Sequence, residues 1–334
     1  MFKVATGAMM SSVTRRVEMG GLLLLFPGQG SQSVGMAEYM WEYPAARATF
    51  AEAVEVLGWD IGELCRHGSM EELTRTDRTQ LAILTCSVAI WRLLDERGSP
   101  FSVAAGHSLG EYSALVAIGH LDFADALRVV EQRGRAMLAC GEERGGTMAA
   151  IIGLDSEVAE EICASIPNVW LANYNSPGQI VISGSEESVA SAGLLAQARG
   201  AKRVLPLPVS GAFHTPFMAG AAESLGAALG QVEFRPARAG RKFYSTTEVR
   251  YPEAGELAGV LARQLMSPVK FTQSMERLLQ ETGAPDRALE VGPGSVLAGL
   301  MKRIARDLPT STTGDRETLL QALDAVAAGG GYRP

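Results

Sequence analysis

Short apolar runs that end in glycine and pass straight into helical patterns set the tightest limit on how this chain folds. Gly21 to Phe26 is one such run, closed by Pro27-Gly28. Val103 to Gly106 is another, followed at once by a helical pattern from Leu109 to Ile118 that Gly119 stops. The longest unbroken run, Leu22 to Pro27, falls far short of the ~20 residues that cross a bilayer. Further helices are expected over Gln80 to Leu94 and Phe123 to Cys140. Strand–loop–helix alternation of this kind requires a mostly parallel sheet covered by helices, an α/β core.

The texture changes at Gly146. Strands are expected over Thr147–Gly153, Val169–Tyr174, Gln179–Ser183 and Lys202–Pro206, with helices over Ser156–Ile166 and Glu187–Arg199. Asn175-Ser176-Pro177-Gly178 joins the second strand to the third. The order β-α-β-β-α-β is the ferredoxin-like pattern. After Ser210 the α/β texture returns, with strands near Arg241–Ser245 and Arg287–Val291 and a closing helix from Arg316. The chain of 334 residues is long enough for about two domains at ~150 residues each. The expected organisation is a hydrolase-like α/β large domain over 19–143 and 210–324, interrupted by a ferredoxin-like small domain over 144–209. A loose small-residue tail is expected over 325–334. Residues 1–18 read as an N-terminal extension, probed by two alternatives: a weak organelle-targeting segment, or an upstream stretch with Met19 opening the folded chain. The missing apolar h-region favours the second.

Composition excludes several classes. Hydrophobic residues are 47% and charged residues 20%, so a sizeable core can form. Lys and Arg number 30 against 37 acids, a net charge of −7, which speaks against a nucleic-acid binder. Cys65, Cys86, Cys140 and Cys163 are scattered, without a Cys-x-x-Cys pair, so a reducing, cytoplasmic setting is expected. No His-Glu-x-x-His or Cys/His cluster suggests a zinc site.

The sharpest chemical signal is Gly106-His107-Ser108-Leu109-Gly110, a G-x-S-x-G match between an expected strand and an expected helix. A serine on so sharp a turn presents its hydroxyl to a substrate. The N–H of the next residue, Leu109, aims at a developing oxyanion. Ser108 needs a base. His107 is adjacent, but neighbouring side chains at an elbow diverge; His67 and His120 lie in polar turns and read as surface residues. His214, in a loop 106 positions after the serine, remains, and residue pattern alone leaves it open between base and ordinary loop histidine. The turn Pro27-Gly28-Gln29-Gly30 is no phosphate loop, since no Gly-Lys-Ser/Thr follows, yet the N–H of Gln29 could face an oxyanion. At about 100° per residue, Arg133 falls on the apolar face of its helix while Arg128 and Arg135 do not. A buried guanidinium needs a partner; an internal salt bridge, a snorkelling arginine at the surface and a bound anionic substrate all fit.

Taken together the motifs resemble the malonyl-CoA:acyl carrier protein transacylase family, which includes the acyltransferase domains of fatty-acid and polyketide synthases. The motifs are Phe26-Pro27-Gly28-Gln29-Gly30-Ser31-Gln32, Gly106-His107-Ser108-Leu109-Gly110-Glu111-Tyr112, Gln132-Arg133-Gly134, Asn173 to Gln179, Gly211-Ala212-Phe213-His214 and Glu290-Val291-Gly292-Pro293-Gly294. The resemblance runs from about Leu22 to Leu323. It implies that Ser108 is the acylated nucleophile and His214 its base, with Arg133 on the malonyl carboxylate. It further implies an oxyanion hole from the N–H groups of Gln29 and Leu109, and a main-chain carbonyl, that of Gln264, orienting His214. A Phe before the histidine, here Phe213, goes with malonyl rather than methylmalonyl use. The partners implied are malonyl-CoA and acyl carrier protein, with no metal or prosthetic group and a monomeric state expected. Two other readings use the same elbow: a serine hydrolase or thioesterase, and a free-standing polyketide-synthase acyltransferase.

Overall fold

The computed structural model describes residues 21–281 and 283–327. The expected extension over 1–18, its Met19 start and residues 328–334 of the expected tail lie outside the described residues. Among those described, the chain forms nine strands. They are β1 (Leu22–Phe26), β2 (Val103–Gly106), β3 (Thr147–Ile152), β4 (Val169–Ser176), β5 (Gln179–Gly184), β6 (Arg203–Pro206), β7 (Lys242–Tyr244), β8 (Arg287–Glu290) and β9 (Thr310–Thr312).

Five strands make a parallel sheet in the order β7-β2-β1-β8-β9. β1 lies at its centre, and all five of its residues are buried because helices cover both faces. Leu22, Leu24 and Phe26 enter the larger core cluster, and Leu23 and Leu25 enter a second cluster on the opposite face. β9 was not legible in the sequence: Thr310-Ser311-Thr312 has no apolar alternation and makes a half-buried edge.

The other four strands form a separate antiparallel sheet in the order β4-β5-β3-β6, with its own core cluster. The helices Ser156–Ser165 and Glu186–Ala198 contribute to that core, which completes the ferredoxin-like order. The connection from β4 to β5 is tighter than the four-residue loop expected. Ser176 already pairs with Gln179, so only Pro177-Gly178 turn the chain, with Gly178 at φ 72°. β4 also reaches outside its own sheet. Tyr174 N–H donates to the Val269 carbonyl and Val269 N–H to the Ala172 carbonyl, each at 2.8 Å.

The closing helix, Arg316–Ala327, runs further than expected. Leu319, Ala322, Leu323 and Val326 recur at helical spacing and are buried, so Ala325 to Ala327 belong to a packed helix and not to a loose tail. All four cysteines are free and buried. No helix among the described residues is long and apolar enough to cross a membrane.

The two sheet strands nearest the serine are locked by glycine. A Cβ on Gly110 would stand 1.9 Å from the Phe26 carbonyl oxygen, and one on Gly106 would stand 2.0 Å from the carbonyl carbon of Gly110. Both obstacles are backbone, so neither can swing aside. Gly110→Ala should therefore lower stability by at least ~1–3 kcal/mol, the usual cost of overpacking. Urea unfolding checks this; a midpoint equal to that of the unsubstituted chain would show that the crossing has slack.

Candidate active site

Ser108 stands between the end of β2 and the helix Gly110–Ile118, at φ 49°. A left-handed conformation costs a non-glycine residue ~1–3 kcal/mol and persists only where the surroundings fix it. Here they do. His107 N–H donates to the Phe26 carbonyl at 3.0 Å, and the Ser108 carbonyl accepts from Glu111 N–H and from Gln264 Nε2, each at 3.1 Å. Thr246 Oγ1 donates to the Gly106 carbonyl at 2.7 Å.

His214 Nε2 lies 3.0 Å from Ser108 Oγ. Its Nδ1 lies 2.9 Å from the Gln264 carbonyl and 3.1 Å from the Ser267 carbonyl. Carbonyls only accept, so Nδ1 carries the proton and Nε2 turns its lone pair to the serine. Burial, reinforced by the nearby Arg133 charge, lowers the His214 pKa to about 4. The imidazole is thus neutral and basic at neutral pH. This geometry separates His214 from an ordinary loop histidine. His107 turns elsewhere, with Nε2 2.9 Å from Asn175 Oδ1. His67 is exposed, as expected. His120 is not a surface residue: it is buried, and Nδ1 pairs with the Arg235 carbonyl, because the chain after the helix Ala219–Leu229 folds back over that turn.

Arg133 is fully buried. Nη1 donates to Gln80 Oε1 at 2.5 Å, and Nη2 to Ser108 Oγ at 3.0 Å and Gln264 Oε1 at 3.1 Å. Its guanidinium carbon lies 5.7 Å from the centre of the Tyr112 ring. Among the described residues no acid forms an ion pair with it, and its Nε finds no hydrogen-bond partner. Burial lowers its pKa, and the neighbouring Tyr112 and Glu111 side chains work against that shift. Arg128 and Arg135 point outward and pair with Asp125 and Glu131, as the helical angles require. Of the readings open to Arg133 from the sequence, the internal salt bridge is therefore absent among the described residues, and full burial excludes a snorkelling surface arginine.

Two supports escaped the sequence reading. Gln80 is a buried amide inside the apolar helix Thr76–Asp95, and its isolation there was the available signal. Glu111 is the one acid of the apolar helix Gly110–Ile118 and is wholly buried. Burial pushes its pKa up to about 7, while bonds from Thr246, Ser245 and Gln264 pull it back.

The N–H groups of Gln29 and Leu109 have no hydrogen-bond partner among the described residues. Gln29 and His107 help to line a cleft of about 340 Å³, walled on one side by Asn173, Asn175 and Val181 of the small sheet and on another by Val296, Leu297 and Leu300. Phe213 is buried in the larger core, its ring against Gly211. No group of His, Cys, Asp and Glu among the described residues is placed to hold a metal ion. A strained serine, a neutral oriented imidazole and a desolvated cation together suit transfer of an anionic acyl group.

Known proteins share this architecture. Residues 23–322 match the family described as the acyl transferase domain. The chain is 44% identical over 305 residues to the malonyl CoA-acyl carrier protein transacylase of Salmonella typhimurium, covering 90% of this chain and 97% of that one. With the enzyme of the same name from Bacillus subtilis it shares 41% over 313 residues, 92% of this chain and 98% of the other. Among solved structures, a malonyl-transacylase in complex with a type II polyketide-synthase acyl-carrier protein superposes with a TM-score of 0.87 at 42% identity, covering 91% of this chain and 99% of that one.

The depressed His214 pKa fixes the sign of a pH effect. A histidine that takes the Ser108 proton must be neutral, so in that role reactivity should be full above the His214 pKa and fall as pH drops through about 4. Second-order modification of Ser108 by an uncharged fluorophosphonate, followed against pH, measures this. A midpoint near the ordinary histidine value of ~6.5 would mean that water reaches the imidazole.

Proposed function

The chain belongs to the acyl transferase domain family, and from that premise we propose that it moves a malonyl group from malonyl-CoA to the phosphopantetheine thiol of acyl carrier protein through a malonyl ester of Ser108. The observation that carries this reading is Arg133: a fully buried cation, without an acidic partner among the described residues, 3.0 Å from the serine hydroxyl. A malonyl carboxylate lies one methylene beyond the carbonyl that Ser108 attacks, within reach of that guanidinium. A hydrolase acting on uncharged esters has no use for such a cation.

In the first half-reaction Ser108 Oγ bonds to the thioester carbonyl carbon while His214 Nε2 takes its proton. The oxyanion is met by the N–H groups of Gln29 and Leu109. The carbon–sulfur bond breaks, His214 returns the proton to sulfur, and CoA leaves as the thiol. In the second, the carrier thiol gives its proton to His214 and its sulfur attacks the ester; Ser108 leaves and regains the proton. Gln264 holds Nδ1 through its main chain in both. Phe213, one residue before the base, limits the room at the acyl α-carbon and so disfavours a methyl branch, which discriminates by ~1–3 kcal/mol.

Incubation with malonyl-CoA should add one malonyl mass to the intact protein and none to Ser108→Ala; an adduct that survives in the alanine variant would refute the ester. Arg133→Ala should lose malonyl transfer by roughly 10- to 150-fold more than acetyl transfer, the worth of a charged hydrogen bond. Equal losses would make Arg133 a packing residue.

The carrier is expected to be acidic and must find local positive charge on a chain of net −7. Three basic stretches are candidates. Arg235 pairs with Asp122, and Arg238 and Arg241 pair with Asp95, so that stretch is largely answered. Lys202 and Arg203 are exposed at the start of β6. Lys302, Arg303 and Arg306 are exposed at the end of the helix Val296–Ile304, whose first turns wall the cleft. That continuity makes the third stretch the docking site we favour. Reversing Lys302 and Arg303 to Glu should raise the carrier KM, and rising salt should slow the second half-reaction more than the first. Carrier transfer indifferent to both would remove this docking site.

A further inference from the structure

We propose that Glu111 is a positioning residue for acyl-group selection: it dictates which way the side-chain amide of Gln264 faces, and through that amide holds Arg133 in place for a carboxylate. The inference rests on the malonyl-transfer reading above.

Gln264 is the hub of the site. Its main-chain carbonyl holds His214 at 2.9 Å. Its side chain touches three further groups. Nε2 donates to Glu111 Oε2 at 2.7 Å and to the Ser108 carbonyl at 3.1 Å, and Oε1 accepts from Arg133 Nη2 at 3.1 Å. An amide has one donating and one accepting end, and either could face either way. Arginine only donates and an ionised carboxylate only accepts, so the pair of them leaves a single arrangement: amine to Glu111, carbonyl to Arg133.

Glu111 itself cannot turn. Oε1 accepts from Thr246 N–H at 2.7 Å and Ser245 Oγ at 3.2 Å, and Thr246 Oγ1, whose proton goes to the Gly106 carbonyl, lies 3.1 Å from it. Glu111, Gln264 and Arg133 are all wholly buried, so water offers no substitute partner. The mechanism above uses neither the Glu111 carboxylate nor the Gln264 amide. A buried carboxylate is costly to keep. This one makes no ion pair among the described residues; its charge reaches Arg133 only across the Gln264 amide.

Glu111→Gln isolates the effect, because it changes shape little and reverses polarity at one atom. The new carbonyl must stay against Thr246 N–H, so the new amine faces Gln264. Gln264 must then present its carbonyl to residue 111 and its amine to Arg133, donor against donor. Arg133 loses its seat, and the Ser108 carbonyl loses its side-chain donor.

Serine acylation by malonyl-CoA and by acetyl-CoA, each resolved into KM and kcat, reads this out at about pH 8. Glu111→Gln should raise the malonyl-CoA KM by ~10-fold or more, the loss expected for a charged hydrogen bond, with the acetyl-CoA KM moved by less than ~3-fold. Gln264→Met removes the amide but keeps the main-chain carbonyl under His214; it should lose malonyl preference to the same degree. The double variant should be no worse than Gln264→Met alone, since Glu111 acts through the amide it lacks. Folding is checked by thermal melting. A folded Glu111→Gln that keeps the malonyl preference of the unsubstituted chain, equal losses for both thioesters, or additive losses in the double variant would overturn the proposal. Should Glu111→Gln not fold, retained malonyl preference in Gln264→Met overturns it. An unsubstituted chain without malonyl preference would bring down the functional reading, and this inference with it.

Discussion

A guanidinium stripped of water must have its charge answered by nearby groups, and at Arg133 that requirement reaches three other segments of the chain. Gln80 arrives from one helix, Tyr112 and Ser108 from the elbow, Gln264 from the far side of the inserted domain. Each contributes a neutral dipole or a ring face rather than an opposite charge. The cation is held but not cancelled, which leaves it available to an anion that brings its own charge. The same field acts on His214, where it adds to burial in keeping the imidazole unprotonated. One buried charge is thus held beside the serine and also favours the neutral form of the imidazole.

Rigidity around the serine comes from close backbone packing together with side-chain donors on its carbonyls. Ser108 and His214 both adopt left-handed conformations, at φ 49° and 61°, that neither residue type favours. Such strain survives because the elbow is wedged against the carboxyl end of β1 and because His214 is fastened at Nδ1 to two carbonyls. The inserted sheet adds to this. Its strand β4 forms backbone hydrogen bonds with Val269, two residues beyond Ser267, so the segment whose carbonyls hold His214 Nδ1 is tied to the antiparallel sheet.

The alternation of apolar runs and glycine turns, and the switch at Gly146, made most of the architecture readable. Those features are local, and a strand such as Val103–Gly106 is declared by its own composition. Ser108 was legible for the same reason, since an elbow is a sequence motif. Arg133 was half legible: helical angle gave its face, but its partners lie 25 to 131 positions away. The roles of Gln80 and Glu111 were hidden because a buried polar residue is explained only by what it meets in space. β9 and the last turn of the closing helix were missed for a different reason, namely that threonine and alanine carry weak periodic signals. The surface reading of His120 failed because polar neighbours in sequence do not reveal a distant segment folding across the turn.

The order of these pieces along the chain constrains how the protein can be made. β1 needs β2 on one edge and β8 on the other, yet β8 does not exist until residue 287 has been synthesised. At ~5–20 residues per second the most apolar strand of the protein waits roughly 10–50 s for its second neighbour. During that interval the inserted sheet, whose four strands lie between residues 147 and 206, is complete and can fold, while the sheet that flanks it cannot. The serine emerges early but meets its imidazole only after residue 214, and that ring has no carbonyl to orient it until residue 264. A chain that ends before residue 264 therefore carries the Ser108 hydroxyl without the carbonyl that holds His214. The site is thus assembled only once most of the chain exists, and until residue 287 is made β1 keeps an open edge on its β8 side.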